Sequence, residues 1–302
     1  MIYVIYPDVD IWNYVLKDVE NKTDAIVRPL NRYCHKWQIV LRKVFRNHYI
    51  PSWLLFNSRM RKELRGLKEN DSLLVCDYTP LCLFMSLSSI VNKKVKKKLW
   101  IWNPIKDNKE YYEVIFSKIK KLGFSAATFD PSDAECFGID FYSQFFRMEY
   151  EKDQKQETLY DFYFIGFSKG RDKIIKSLDE VLTQRYTTLF KIVNDVSECI
   201  PYSENVKNLK HSRCLVDIVQ PNQMGLTLRP LEALSFQKKL ISNNKKLINY
   251  DFYHKDNIFI LGVDNLEDID AFMKTPYHQI ENNIIKQYDV TTWLNSFIVF
   301  DI

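Results

Sequence analysis

The stretch Asp217 to Asn244, DIVQPNQMGLTLRPLEALSFQKKLISNN, reads strand, polar loop, glycine, helix, strand. Cys214 to Val219 and Lys239 to Ser242 are the two apolar runs that suit strands. Between them, Gly225 lets the backbone approach a ligand closely. A helix starting near Thr227 or Leu228 puts Pro230 in its first turn, where proline is tolerated. The first N–H groups of such a helix form an anion site. Arg229 adds a planar fork of donors that matches phosphate. Glu232 lies within the first turn or so, where a carboxylate agrees with the helix dipole and can accept hydrogen bonds from ribose hydroxyls. Together these parts describe a nucleotide-diphosphate site.

The same alternation extends outward. Tyr160 to Gly166 reads as a strand ending in glycine, Phe167 to Arg171 as its loop, and Asp172 to Leu182 as a helix. Ile258 to Gly262 is a further strand. In the N-terminal half, Ile2 to Tyr6, Leu73 to Cys76 and Leu99 to Trp102 are short apolar runs with helical patterns between them. Strand–helix–strand order favours parallel sheets covered by helices. Ligands of such sheets bind outside the carboxyl ends of the strands, and Asp8, Asp77 and Asn103 all stand at predicted strand ends. The polar segment Glu151 to Glu157 marks a boundary. The expected domains are 1–152 and 153–302, each α/β. The final helix, Thr291 to Phe300 with Thr291 and Thr292 as candidate N-caps, is expected to pack back on the first domain.

Composition agrees with two folded domains. The chain has 302 residues, 46% hydrophobic and 27% charged, which excludes disorder. Seven glycines exclude glycine-rich repeats and linkers. Six cysteines form no CxxC pair, and five histidines form no metal spacing, so no metal site is expected. The N-terminus has no basic stretch before its apolar run and reads as a strand, not a signal peptide. No apolar run approaches the length that crosses a bilayer; Pro80 to Val91 is too short. Reduced thiols and a cytoplasmic location follow.

Charge is unevenly spread. The net charge is +5, yet residues 28–68 hold eleven basic residues and one acid, Glu63. An anionic partner of the N-terminal half is implied. Residues 28–49 read as an amphipathic helix with Leu30, Tyr33, Cys34, Trp37, Leu41, Val44 and Phe45 on its apolar stripe. Arg42, Lys43 and Arg46 lie off the stripe. Three readings stay open: a solvated helix face, a nucleic-acid surface, or a face on anionic lipid with Trp37, Phe45, Trp53 and Phe56 entering the interface.

Two blocks carry a family resemblance: FYFIGFSKGRDKI at Phe162–Ile174, and Gln223-Met-Gly-Leu-Thr-Leu-Arg-Pro-Leu-Glu-Ala-Leu followed by Lys238-Lys-Leu-Ile-Ser-Asn-Asn244. They resemble the donor-binding half of bacterial GT-B glycosyltransferases of lipopolysaccharide and capsular polysaccharide synthesis. The resemblance implies two Rossmann-like domains facing each other across a cleft, the second holding the nucleotide sugar. Glu232 would hold the ribose, and Arg229 with Lys169 or Arg171 the diphosphate. Gly166, Gln223, Gly225, Thr227 and Asn243 would complete the donor site. A UDP-sugar is the expected donor, with no other cofactor. The acceptor would be a saccharide on a lipid carrier at the inner face of the cell membrane. Where many retaining members carry a glutamate before the glycine, this chain has Gln223, and Glu232 is seven residues after Gly225. The stereochemical outcome therefore stays open. An inverting enzyme needs a general base; Asp8 and Asp77 are the candidates, with Asn103 and His35 on the acceptor side. The alternative is a nucleic-acid-binding protein using residues 28–68.

Overall fold

The computed structural model describes residues 1–32, 34–77, 80–149, 157–220 and 223–299, without the side chains at 107, 298 and 299. Two compact units result: residues 1–143 with 291–302, and residues 144–290. The predicted boundary at 152/153 lies outside the described residues.

The first unit contains β1 (Ile2–Tyr6), β2 (Ile26–Pro29), β3 (Ser72–Cys76), β4 (Lys96–Ile101), β5 (Phe124–Thr128) and β6 (Asp140–Phe141). They form one sheet in the order β2-β1-β3-β4-β5-β6, every pair parallel. The second unit contains β7 (Tyr160–Phe167), β8 (Thr188–Val193), β9 (Ser212–Asp217), β10 (Lys239–Ser242) and β11 (Ile258–Ile260). These form a second all-parallel sheet, β11-β10-β9-β7-β8. Both units are thus Rossmann-like α/β domains, as expected.

Parallel strands covered on both faces must be apolar throughout. All five residues of β1 are buried, as is every residue of β10. The Asp172–Leu182 helix buries Ile175, Leu178 and Leu182, spaced so that one stripe meets the sheet. The Leu81–Ile90 helix is buried nearly all round, which accounts for the longest apolar run in the chain.

The two sheets share one winding. The second strand of each unit pairs on one side of the first, and the third strand pairs on the other side. Chain direction across the sheet reverses there, which opens a crevice at the carboxyl ends. In the first unit this switch point lies between β1 and β3. In the second it lies between β7 and β9.

Two sequence expectations need correction. The helix expected over 28–49 is strand β2, a loop, and a shorter helix at Lys36–Val44. Its burial is inverted: Gln38 and Arg42 are buried, whereas Trp37, Val40 and Val44 are exposed. Polar partners cause this. Gln38 donates to the Leu54 carbonyl at 2.8 Å and Arg42 to Asn31 Oδ1 at 2.6 Å. Tyr33, placed on the expected stripe, lies outside the described residues. Second, the last helix runs Val290–Val299, so Thr291 and Thr292 are inside it rather than at its cap. From Thr291 onward it belongs to the first unit, where Trp293 meets Trp100 edge-on at 5.0 Å and Phe297 stacks on Tyr142 at 4.2 Å.

Candidate functional site

At the second unit's switch point, β7 ends in Phe167 and turns sharply. Lys169 and Gly170 both adopt left-handed backbone angles, φ 44° and 78°. The glycine takes this without strain, whereas lysine bears a steric cost. The turn sends Arg171 back across the sheet end. Its Nε and Nη2 donate to the Phe167 carbonyl at 3.1 and 3.0 Å, and Nη1 donates to the Ile218 carbonyl just beyond β9. A methyl group at Gly166 would stand 3.0 Å from Nη2, so any side chain there would make the guanidinium shift by a few tenths of an ångström. Burial pulls the Arg171 pKa down; Asp217 opposes that shift and Arg229 adds to it.

Asp217 closes β9 beneath that arginine. Its Oδ1 accepts from the Thr227 hydroxyl at 2.9 Å and its Oδ2 from the Ser242 hydroxyl at 3.0 Å. Burial pushes its pKa up, against those two bonds and the charges of Arg229 and Arg171. Thr227 stands at the N-cap of the Leu228–Ser235 helix but makes no side-chain cap bond, because its hydroxyl is turned to Asp217. Asn243, after β10, accepts the Val219 N–H at 2.8 Å and so ties two strand ends together.

Arg229 and Glu232 lie on the inner face of this helix. Arg229 Nη1 is 2.8 Å from Glu232 Oε2, its Nη2 donates to the Ile165 carbonyl at 3.1 Å, and its guanidinium lies 5.7 Å from the Tyr163 ring centre. Glu232 is only 3% exposed. Its Oε1 accepts from the Tyr202 hydroxyl at 2.5 Å and from Asn205 at 3.4 Å, and Asn205 in turn accepts from Tyr163 at 2.9 Å. Burial pushes Tyr163 up to about 12. In this conformation the Glu232 carboxylate is engaged by Tyr202, Asn205 and Arg229.

The donor-side expectations therefore separate. Gly166, Arg171, Thr227 and Arg229 gather around Asp217. Lys169 is exposed on the β7 loop, and partial desolvation of its ammonium together with the Arg171 charge lowers its pKa. Gln223 is half-buried and Gly225 buried in the loop before the helix. Asp217, Tyr202 and Asn205 were not singled out from the sequence. Asp217 had a readable signal, an acid at the last position of a strand. Tyr202 and Asn205 had none.

At the first unit's switch point, Asp8 follows β1 and accepts from Asn13 at 3.0 Å and Arg32 at 2.9 Å. Asp77 follows β3 with a left-handed φ of 47°. Its N–H donates to the Trp100 carbonyl at 2.7 Å, and its Oδ2 accepts from Asn103 Nδ2 at 3.0 Å. Burial raises the Asp77 pKa, opposed by the bonds from Asn103 and the Trp102 N–H. The structure thus joins Asp77 with Asn103. Tyr78 and Thr79 lie outside the described residues.

The expected acceptor or membrane side divides differently. His35 precedes the Lys36–Val44 helix; its N–H donates to Gln38 Oε1 at 2.8 Å and its ring stacks on Trp37. Lys43 is exposed, and exposed Arg46 donates to the Tyr111 hydroxyl at 2.9 Å. Arg42 is 1% exposed and reaches no external partner; its charge is spent inside, on Asn31. Phe56 is likewise buried. Trp37, Val40, Val44, Phe45, Tyr49 and Trp53 are exposed instead, Trp53 at 61%. Among the described residues, no helix is long and apolar enough to cross a membrane, and no group of three or more His, Cys, Asp or Glu side chains could hold a metal ion.

No family model and no curated protein matches the chain. Among solved structures it is similar to the crystal structure of accessory secretory protein 1, 2 and 3 in Streptococcus pneumoniae, with 12% identity and a TM-score of 0.42. The similarity covers 79% of this chain and 54% of that one, so the chain spans about half the length of the protein it matches. The fold assignment rests on the strand order itself.

Proposed function

We propose that this protein is a GT-B glycosyltransferase. It would move a sugar from a nucleotide diphosphate, first of all a UDP-sugar, to a hydroxyl of a lipid-linked saccharide in bacterial surface-polysaccharide assembly. The observation that carries this reading is the second unit's switch point, where Arg171, Thr227 and Arg229 surround Asp217 at the carboxyl ends of β7 and β9. Doubly wound sheets bind nucleotides there. The diphosphate would meet Lys169, the edge of Arg229 and the first amides of the Leu228–Ser235 helix. These groups would stabilise the charge that develops as the glycosidic bond breaks. Arg171, Glu232 and Asn243 hold that surface in shape.

In the first unit, Asp77 is the better candidate for the base. Burial shifts its pKa towards working pH, and Asn103 orients the carboxylate. Asp8 is already engaged by Arg32 and Asn13. The exposed aromatic and aliphatic face beside Lys36, Lys43 and Arg46 would rest on the anionic membrane that carries the acceptor.

A panel of UDP-, GDP-, ADP- and CMP-sugars, read by thermal stabilisation and by release of nucleotide, tests the reading. One nucleotide class should stabilise the protein, and Arg229→Ala should remove the effect. Stabilisation by an oligonucleotide and by no sugar nucleotide would favour a nucleic-acid-binding role instead.

A further inference from the structure

The first unit holds a second concave site that the transferase reading does not use. A cavity of about 300 Å³ opens beside the carboxyl ends of β1 and β2. Tyr6, Leu16, Leu30 and Met60 give it apolar walls, and Lys17, Arg28, Arg32 and Arg59 give it four cations. Glu20 is the single acid among its lining residues.

The arginines are anchored from behind. Glu63, the lone acid of the basic segment, accepts from Arg28 Nε and Nη2 at 3.0 and 2.7 Å, from Arg59 Nε at 3.0 Å and from the Tyr3 hydroxyl at 2.8 Å. Burial alone would raise the Glu63 pKa, but the bonds from Arg28, Tyr3 and Arg59 outweigh it and hold the group below the usual carboxylate range. Glu63 is therefore a charged peg. Arg28 is saturated by Glu63 and by Glu20 at 2.6 Å. Arg59 gives one edge to Glu63 and stays 74% exposed. Arg32 gives one bond to Asp8, and Lys17 is exposed. Asn57, also on the wall, caps the Ser58–Arg65 helix through the Met60 N–H, so the positive end of that helix lies at the cavity.

Four cations crowd one small space, and the three acids bonded to them, Asp8, Glu20 and Glu63, leave one positive charge over. Planar forks fixed along one edge are preorganised for a carboxylate or phosphate. The volume is at the bottom of the small-molecule range, enough for one sugar ring. The geometry points to a binding site for a monosaccharide-sized acid, a sugar carboxylate or sugar phosphate, whose anionic group meets Arg59 and Lys17. Assigning that acid to the acceptor rests on the transferase reading; the anion site itself does not.

Calorimetric titration of the full chain with glucose 6-phosphate, galacturonate, glucose, galactose and inorganic phosphate tests it. At least one acid sugar should bind ten-fold or more tightly than its neutral parent and more tightly than phosphate. The double variant Lys17→Ala/Arg59→Ala changes two exposed side chains and should weaken that binding at least ten-fold while the folding temperature holds. Equal binding of acid and neutral sugars, phosphate binding as tight as the acid sugar, no binding of either acid, or binding that survives the double variant overturns the site. A separate titration of the unaltered protein with UDP, GDP, ADP and CMP distinguishes the two ideas. Failure of all four sinks the nucleotide reading and leaves the anion site standing; failure of the acid sugars with binding of one nucleotide intact does the reverse.

Discussion

The two sheets wind in the same order, yet their switch points are furnished in opposite ways. In the second unit the polar groups are drawn inward. Arg171 clasps two strand-end carbonyls, Asp217 is held by two hydroxyls, and Glu232 is sealed behind Tyr202. In the first unit the polar groups stay near solvent. Asn103 is exposed, and Arg32 and Asp8 keep part of their surface open. On the proposed reading the same topology would serve two purposes. A tightly bonded end would make a rigid shelf for a ligand held by backbone and charge, whereas the other end, with a carboxylate whose pKa burial raises, would leave a group able to exchange protons.

The sharpest way to break this comparison is Asp77→Asn. If the first unit carries the reacting base, turnover should fall by about 10²–10⁴-fold while the folding temperature stays level or rises. Unchanged turnover would move the base elsewhere, with Asp8 next in line. In the second unit the effect should fall on stability instead. Glu232→Ala strands the Arg229 charge in a buried site and should cost about 3–5 kcal/mol, read from the urea midpoint. Glu232→Gln, which keeps an acceptor for Tyr202, should cost less. A Glu232→Ala protein of normal stability would contradict the inward role given to that acid.

A smaller effect concerns the exposed face at residues 37–53. Replacing Trp37 and Trp53 with serine should release the protein from anionic vesicles, since each aromatic contributes about 1.5–3 kcal/mol when buried, and leave its solution stability unchanged. Equal retention on the vesicles would remove that face from the account. The smallest expected effects are opposite slopes with pH. Asp217 has a folded pKa above its unfolded one, so it binds its proton more tightly when folded and its share of stability grows as pH falls through the folded value. Glu63 has a folded pKa below its unfolded one, so its share is present above the unfolded value and is lost as pH falls through the folded one. Melting curves at neutral and mildly acidic pH should therefore show Asp217→Asn losing a gain on acidification and Glu63→Gln losing a penalty. Parallel curves for both variants would contradict the assigned shifts.

Much of the fold was legible because burial on both faces leaves a plain mark. Ile2–Tyr6, Ser72–Cys76 and Lys239–Ser242 are apolar runs for that reason, and the strand, turn and helix over 160–182 follow from a glycine and a regular stripe. Thr188–Val193 escaped notice because, as an edge strand, it is only half-buried over most of its length and mixes polar with apolar residues. The Lys36–Val44 helix misled because hydropathy cannot see that Asn31 and the Leu54 carbonyl satisfy Arg42 and Gln38 inside the unit. The candidate site was legible as a place and not as a set of roles. Gly225, Thr227 and Arg229 marked the strand end that Asp217 closes, but the contacts of Glu232 depend on Tyr202, thirty positions away in the chain.

The central claim is that the carboxyl end of the second sheet grips a nucleotide diphosphate. Amide hydrogen exchange with and without UDP tests it most directly. Slowed exchange at Gly225–Arg229 and in the Gly166–Arg171 turn is the predicted result. Protection confined to the first unit, or none at saturating UDP, GDP, ADP or CMP, would contradict the account.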